Sequence, residues 1–255
     1  MNAARRGGRV EQYLHEHLDR GPVHFTLIDP DKSPGESAAR IARGAVDLGS
    51  DVILLGGSTG ISREVMGRAA AAVKKAVMAP VVIFPEGATS LTPEADAVLF
   101  MSLLNSRNLD LVIRTHARAA PVVRKMGLEA IPLGYLVVAP GMRVGEVGEV
   151  DVVARNDPAT AAGFALAAEL LGMRLVYLEA GSGAPAPVPP DMVRAVRSVL
   201  SVPLVVGGGI RTGPEARALL DAGAQILVTG TITEEEGLGD GFRAILAEVR
   251  HDRGG

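Results

Sequence analysis

Residues 177 to 185 read Tyr-Leu-Glu-Ala-Gly-Ser-Gly-Ala-Pro and follow the apolar pair Leu175-Val176. A single carboxylate, Glu179, stands where a buried strand should end, and a Gly-Ser-Gly turn comes directly after it. Two later apolar runs also end in glycine, at Gly207-Gly208-Gly209 and at Gly230-Thr231. Glycine lets a backbone N–H approach an anion closely, and a helix starting just beyond adds a favourable dipole. Gly181-Ser182-Gly183, Gly208-Gly209 and Gly230-Thr231 are therefore candidates for one phosphate cradle. Any one loop could simply close a tight strand-to-helix turn; three that converge favour the cradle. Tyr177 and Glu179 share a strand face at period two. Beside a phosphate, Glu179 could accept hydrogen bonds from substrate hydroxyls or take a proton as general base. The plainer alternative is a rim carboxylate paired with a Lys or Arg.

A second constellation lies early in the chain. Asp29-Pro30-Asp31-Lys32 ends one apolar run and Gly56-Gly57-Ser58-Thr59 ends the next. A carboxylate and a hydroxyl at adjacent strand ends would suit Mg²⁺, which takes one or two protein oxygens and completes its octahedron with water and substrate phosphate. Asp29 could equally cap its own turn, because Asp-Pro commonly starts one.

The elements that must position these residues recur regularly. Apolar runs, rich in Val, Ile and Leu, occupy 23–29, 51–57, 80–85, 97–104, 130–138, 174–179, 203–209 and 225–230. Runs apolar on both faces belong to parallel strands covered by helices, and segments such as SAARIARGAVDLG and GPEARALLDAG between them carry helical periodicity. Eight strand-helix units in 255 residues predict an α/β fold, a (β/α)₈ barrel, with function on the loops after the strands. An open doubly wound sheet is the competing architecture. Thr212 followed by Glu215 predicts a capping box on the helix after the seventh strand. Between strands three and four only 86–96 is available, with Gly87 and Pro93 inside it, so the covering helix there should be short or missing. The link from 138 to 157 is Gly-rich and not periodic, and predicts a loop over the top face. We expect one domain over 1–255, with 1–20 as an N-terminal extension or helix.

Composition narrows the function classes. A net charge of -3 gives no global attraction to nucleic acid, so phosphate binding must be local. Cysteine is absent, which removes disulfides and thiolate chemistry. No apolar leader opens the chain, and the most apolar stretch, 159–178, contains Glu169 and Arg174 and reads as a helix followed by a strand rather than a membrane span. A cytoplasmic protein is expected.

Taken together, FTLIDPDK, LLGGST, ADAVLFMSLLNSRN, GYLVV with Pro140 just beyond it, LGMRLVYLEAGSGAP, VGGGIRTG and VTGTI resemble the geranylgeranylglyceryl phosphate synthase family, whose bacterial relatives include heptaprenylglyceryl phosphate synthases. The resemblance runs from about His24 to Ile232. It implies Mg²⁺-dependent transfer of a polyprenyl group, geranylgeranyl foremost, from its diphosphate to the 3-hydroxyl of sn-glycerol 1-phosphate, the first step of ether-lipid synthesis. By position it implies Asp29 and Ser58 as magnesium ligands. Tyr177, Leu178, Glu179, Ala180, Gly181, Ser182, Gly183, Gly208, Gly209, Gly230 and Thr231 take the place of its glycerol-phosphate contacts, with Glu179 catalytic. It further implies a homo-oligomer and transient membrane contact for the lipid product.

Three departures cluster in the middle third. Family members typically carry FPGN where Phe84-Pro85-Glu86-Gly87 stands, NPYW or NPYF where Asn108-Leu109-Asp110-Leu111 stands, and PGG followed by an aromatic VGWVG-like stretch where Pro140-Gly141-Met142 and Val144-Gly145-Glu146-Val147-Gly148 stand. These loops bear on prenyl length and assembly and leave the acceptor side intact. The alternatives are a heptaprenyl donor, a 3-phosphoglycerate acceptor, a phosphosugar isomerase or lyase, or a catalytically silent phosphate-binding barrel. Against an isomerase or lyase stands the want of an evident acid-base partner for Glu179.

Overall fold

A computed structural model describes residues 7–57, 60–251 and 253. Eight parallel strands close into a barrel in sequential order. They are β1 (Val23–Ile28), β2 (Val52–Gly56), β3 (Val81–Phe84), β4 (Ala97–Leu103), β5 (Glu129–Val137), β6 (Leu175–Glu179), β7 (Leu204–Gly207) and β8 (Ile226–Thr229). The helices are α1 (Arg9–Leu18), α2 (Glu36–Leu48), α3 (Arg63–Ala76), α4 (Thr115–Met126), α5 (Met142–Val147), α6 (Pro158–Leu170), α7 (Pro190–Arg197), α8 (Gly213–Asp221), α9 (Thr231–Glu235) and α10 (Asp240–His251). A π-helical turn, Asp110–Arg114, leads into α4.

Period-two alternation sorts the strand side chains into two cores. Phe25, Leu54, Leu99, Leu133, Tyr177 and Val228 fill the barrel interior. Ile53, Ile83, Leu136, Leu178, Val206 and Leu227 pack outward under the helices. Because both faces are covered, the strands read as continuous apolar runs rather than alternating ones. The bottom of the barrel is closed by α1, whose Val10 and Leu14 join the interior core. Glu129, at the foot of β5, accepts from the α1 backbone N–H groups of Val10 at 2.7 Å and Glu11 at 2.9 Å. That satisfies two donors a helix start cannot satisfy internally and places a negative charge at its positive end.

The outer wall is thin where expected. Between β3 and β4 there is one 3₁₀ turn, Ala88–Ser90, in place of a helix. The ladder there is short as well: β3 meets β4 through Val82–Ala97 and Ile83–Val98. By contrast β4 and β5 pair from Ala97–Glu129 through Leu103–Tyr135. The upper halves of β3 and β4 therefore diverge and leave a seam. The 138–157 link departs from the expected plain loop, since it contains α5. Gly141, Gly145 and Gly148 had hidden its periodicity, and left-handed backbone at Gly141 and Met142 (φ 74° and 48°) sets its start. Asn105, just beyond β4, ties this link down by donating to Val137 O and Asp151 O, both at 2.9 Å.

The capping box on α8 is present: Thr212 Oγ1 accepts from the Glu215 N–H at 3.4 Å, and Glu215 Oε2 accepts from the Thr212 N–H at 2.9 Å. Thr212→Ala should lower stability by about 1 kcal/mol, as loss of such caps does. Denaturant unfolding would show a lower midpoint with an unchanged slope; an unchanged midpoint would contradict the cap's role.

Candidate active site

Glu179 ends β6 with its side chain turned inward, one period above Tyr177. It is 6% exposed, and every neighbour fixes it. Oε1 accepts from the Gly181 N–H at 2.6 Å, which the Gly181 backbone can offer because its φ of 104° turns the chain back over the carboxylate. Oε2 accepts from the Tyr135 hydroxyl at 3.0 Å. The register of β5 on β6 sets Tyr135 opposite Tyr177 and Val137 opposite Glu179, so the Tyr135 phenol reaches up to the carboxylate. Burial pushes the Glu179 carboxyl above its ordinary range, while the Gly181 N–H and the Tyr135 and Tyr177 hydroxyls pull it back. The balance is a buried carboxylate held ready to take a proton.

Three aromatic rings floor this region. Tyr135 and Tyr177 meet edge to face at 4.9 Å, and Phe84 from the end of β3 meets them at 5.9 and 6.3 Å. In a chain with five Phe, three Tyr and no Trp, that concentration marks the barrel mouth as the place where rings are needed.

The glycine loops close around the carboxylate. Ser182 Oγ and Thr231 Oγ1 lie 2.9 Å apart, and Thr231 Oγ1 also accepts from the Gly183 N–H at 3.2 Å, so the loops after β6 and β8 meet. Gly208, at φ 82°, passes so close that a Cβ there would strike Glu179 Oε1 and the Gly181 backbone. Only glycine fits this approach.

A cavity of about 780 Å³ opens at the C-terminal ends of the strands. Asp29, Tyr177, Glu179, Ser182, Gly208, Gly209, Gly230 and Thr231 all line it, so the two constellations read from the sequence share one space. Gly181 and Gly183 sit just behind that lining and hold it together through Glu179 and Thr231. Leu178 and Ala180 are placed differently: their side chains are fully buried in the outer core, on the opposite face from Tyr177 and Glu179. Ser58 lies outside the described residues.

Asp29 is 4% exposed at the end of β1, its Oδ1 accepting from the Asp31 N–H at 3.0 Å and its Oδ2 lying 3.8 Å from Lys32 Nζ. Lys32 also donates to Glu234 at 2.7 Å. As a buried carboxylate facing the cavity, Asp29 could supply one protein oxygen to a magnesium ion completed by water and substrate phosphate. Among the described residues there is no group of three or more His, Cys, Asp or Glu that could hold a metal by themselves.

Two cavity residues, Tyr135 and Glu86, had been met only within longer stretches and given no part in the site. Tyr135 is 44 positions from Glu179 in sequence, and only strand register brings them together. Glu86, one of the family departures, receives the Gly60 N–H on both carboxylate oxygens, at 2.8 and 2.6 Å, and so ties the loop after β2 to the loop after β3.

Removal of the Tyr135 hydroxyl deletes one of the groups that favour the ionised form of Glu179. Tyr135→Phe should therefore move the Glu179 titration to higher pH, followed as the carboxyl infrared band or the ¹³C shift of labelled glutamate. An unmoved midpoint would sink this assignment.

Set beside known proteins, the PcrB family matches residues 14–249. The chain is 48% identical over 242 residues to a geranylgeranylglyceryl phosphate synthase of Thermococcus gammatolerans, covering 95% of this chain and 96% of that one. It is 50% identical over 228 residues to the Pyrococcus horikoshii protein of the same name, covering 89% and 90%. The (S)-3-O-geranylgeranylglyceryl phosphate synthase of Thermoplasma acidophilum, solved in complex with its substrate sn-glycerol-1-phosphate, matches with a TM-score of 0.90 and 44% identity over 95% of this chain and 98% of that one. Tryptophan synthase of Mycobacterium tuberculosis, at 14% identity and a TM-score of 0.62, shares the barrel alone. With family and fold matched over nearly its whole length, this chain belongs to the PcrB family, alongside the geranylgeranylglyceryl phosphate synthases.

Proposed function

We propose that this protein is a cytoplasmic prenyltransferase that moves a polyprenyl group, geranylgeranyl foremost, from its diphosphate to the 3-hydroxyl of sn-glycerol 1-phosphate, the first step of ether-lipid synthesis. The observation that carries the reading is a buried, hydrogen-bonded Glu179 sharing one cavity with three glycine-rich loop ends and Asp29.

The residues divide the work by position. Ser182, Gly208, Gly209, Gly230 and Thr231 hold the acceptor phosphate, with Gly181 and Gly183 shaping the turn. Tyr177 and Glu179 address the glycerol hydroxyls, and holding the acceptor at both ends supplies orientation, which can be a large share of a rate. The 3-hydroxyl oxygen forms a bond to the allylic C1, the bond from C1 to the diphosphate oxygen breaks, and the hydroxyl proton passes to Glu179. Magnesium, bound by Asp29 and by Ser58 as the resemblance implies, would neutralise the leaving diphosphate. A 3-phosphoglycerate acceptor would bring its own carboxylate against Glu179, so the structure favours the uncharged end of a glycerol phosphate.

The seam between β3 and β4 suits the hydrocarbon tail. The cavity runs past inward-facing Leu99 and Met101 to outward-facing Val98 and Phe100, and on to Leu91, Ala119 and Val123. It thus passes through the barrel wall at the place where the covering helix is missing. Phe100 is braced there by His116, whose ring meets it edge to face at 4.7 Å and whose Nε2–H donates to Met101 O at 2.8 Å. A homo-oligomer belongs to the proposal too, supported by Leu170 and Leu171, which protrude into solvent at the end of α6.

Purified protein with Mg²⁺ should release diphosphate and form lipid from sn-glycerol 1-phosphate and a long prenyl diphosphate, and not from sn-glycerol 3-phosphate or 3-phosphoglycerate. Glu179→Gln should reduce turnover by roughly 100-fold or more while glycerol-phosphate binding persists. No product with any pair would overturn the reading. In a separate measurement, Ala119→Phe should shorten the longest donor accepted in a series from farnesyl to heptaprenyl diphosphate; unchanged selectivity would place the tail elsewhere.

A further inference from the structure

Of the five Phe and three Tyr in the chain, Phe84, Tyr135 and Tyr177 meet in the cavity. Tyr135 and Tyr177 are buried, and their hydroxyls serve Glu179. Phe84 has no polar side-chain atom, and it is the half-buried member of the group. Tyr135 and Tyr177 hold its ring on one side, edge to face at 5.9 and 6.3 Å. On the other side the residue opposite it in register is Gly56, which has no side chain to cover it. Gly56 is glycine of necessity, because a Cβ there would strike the Phe84 carbonyl oxygen.

Strand order fixes where that ring stands. Around the barrel come Asp29 after β1, Gly56 at the end of β2, Phe84 at the end of β3, the seam, β4, then Tyr135 on β5 and Glu179 on β6. In the transfer reaction the diphosphate lies toward Asp29, the attacking hydroxyl lies at Glu179, and the tail leaves through the seam. The allylic carbons therefore lie among these three points, and Phe84 stands on the β3 edge of the seam with its ring in the same cavity. As the bond from C1 to the diphosphate oxygen breaks, its electron pair leaves with the diphosphate and positive charge spreads over C1 and C3. That charge needs a partner that does not capture it. A carboxylate close against C1 would form an ester, whereas an aromatic ring presents a negative face and no lone pair.

We propose that Phe84, braced by Tyr135 and Tyr177, is a catalytic residue whose ring stabilises the positive charge developing on the allylic carbons of the donor. The inference rests on the prenyl-transfer reading. The glycerol 3-oxygen closes its bond to C1 while the ring holds that charge, the hydroxyl proton passes to Glu179, and the diphosphate departs with the electron pair, so no further reactant enters the balance. Phe84 thereby acts on the rate of transfer and not on the affinity for the ground-state donor, which is uncharged at C1.

The test places 4-fluoro-, 3,5-difluoro- and 3,4,5-trifluorophenylalanine at position 84 of the full chain, which drains the ring face of electron density with little change of size. The single-turnover rate with geranylgeranyl diphosphate and sn-glycerol 1-phosphate should fall with each fluorine, by about 10-fold across the series, at an unchanged donor Kd. A second measurement needs no turnover. A diphosphate donor analogue whose C3 is replaced by a protonated tertiary amine nitrogen carries a fixed charge where the cation forms. It should bind the unsubstituted protein more tightly than the uncharged 2,3-dihydro donor does, and Phe84→Leu, which keeps an apolar side chain, should shrink that margin by about 10-fold. A flat fluorine series, a fall in rate matched by weaker donor binding, or an analogue preference that Phe84→Leu leaves intact would overturn the proposal and leave Phe84 as packing for the tail. Any of these in a protein that turns over its donor sinks this proposal alone; absence of turnover with every donor and acceptor sinks the transfer reading and this proposal with it.

Discussion

A carboxylate cannot sit at the mouth of an apolar barrel unless its oxygens are occupied, because an unpaired buried charge costs several kcal/mol. Glu179 meets that condition through the Gly181 N–H and the Tyr135 hydroxyl, and much of the site geometry follows from it. The left-handed turn at Gly181 exists to bring that N–H back over the strand end. Gly208 must lack a side chain because the carboxylate already fills the space a Cβ would take. Tyr135 and Tyr177 pack ring against ring so that their hydroxyls arrive at one place. The same contacts that make the carboxylate tolerable hold it where an acceptor hydroxyl would come.

The remainder of the barrel divides stability from function. At the bottom, Glu129 clamps the start of α1 and the interior core is sealed. At the top, the strands end in glycine and polar residues and leave room. Between β3 and β4 the fold gives up both a covering helix and most of a ladder, and a cavity passes through the opening. A closed barrel could hold a small phosphorylated acceptor but has no space for a long hydrocarbon. Loss of one wall element makes that space without disturbing the other seven strands' covering.

Much of this architecture was legible in the sequence, because strands buried on both faces leave uninterrupted runs of Val, Ile and Leu with little ambiguity. The 86–96 segment was too short and too interrupted for a helix, and a 3₁₀ turn stands there. Asp29 and Glu179 were legible as cavity-facing carboxylates because each closes an apolar run, and Asp29 also caps its own turn through the Asp31 N–H, the plainer reading that Asp-Pro allowed. Tyr135 was not: within β5 it is one more bulky residue, and its meaning lies in register with a strand 44 positions away. α5 escaped because its glycines erase the periodicity by which helices are recognised. Leu178 and Ala180 show the opposite case. Period two alone places them on the outer face, and only the resemblance of the whole YLEAGSG stretch had drawn them into the contact set. Glu86 carried no periodic signal, and its hold on Gly60 depends on two loops meeting.

The central claim is that the end of β6 and three converging glycine loops read the two ends of a glycerol phosphate, with Glu179 at the hydroxyl and the loops at the phosphate. The most direct measurement is a crystal structure of this protein with sn-glycerol 1-phosphate bound. The account predicts the phosphate among Ser182, Gly208, Gly209, Gly230 and Thr231, with the 3-hydroxyl in hydrogen-bond reach of Glu179. A phosphate bound instead beside Asp29, or a glycerol whose 3-hydroxyl points away from Glu179, would contradict it.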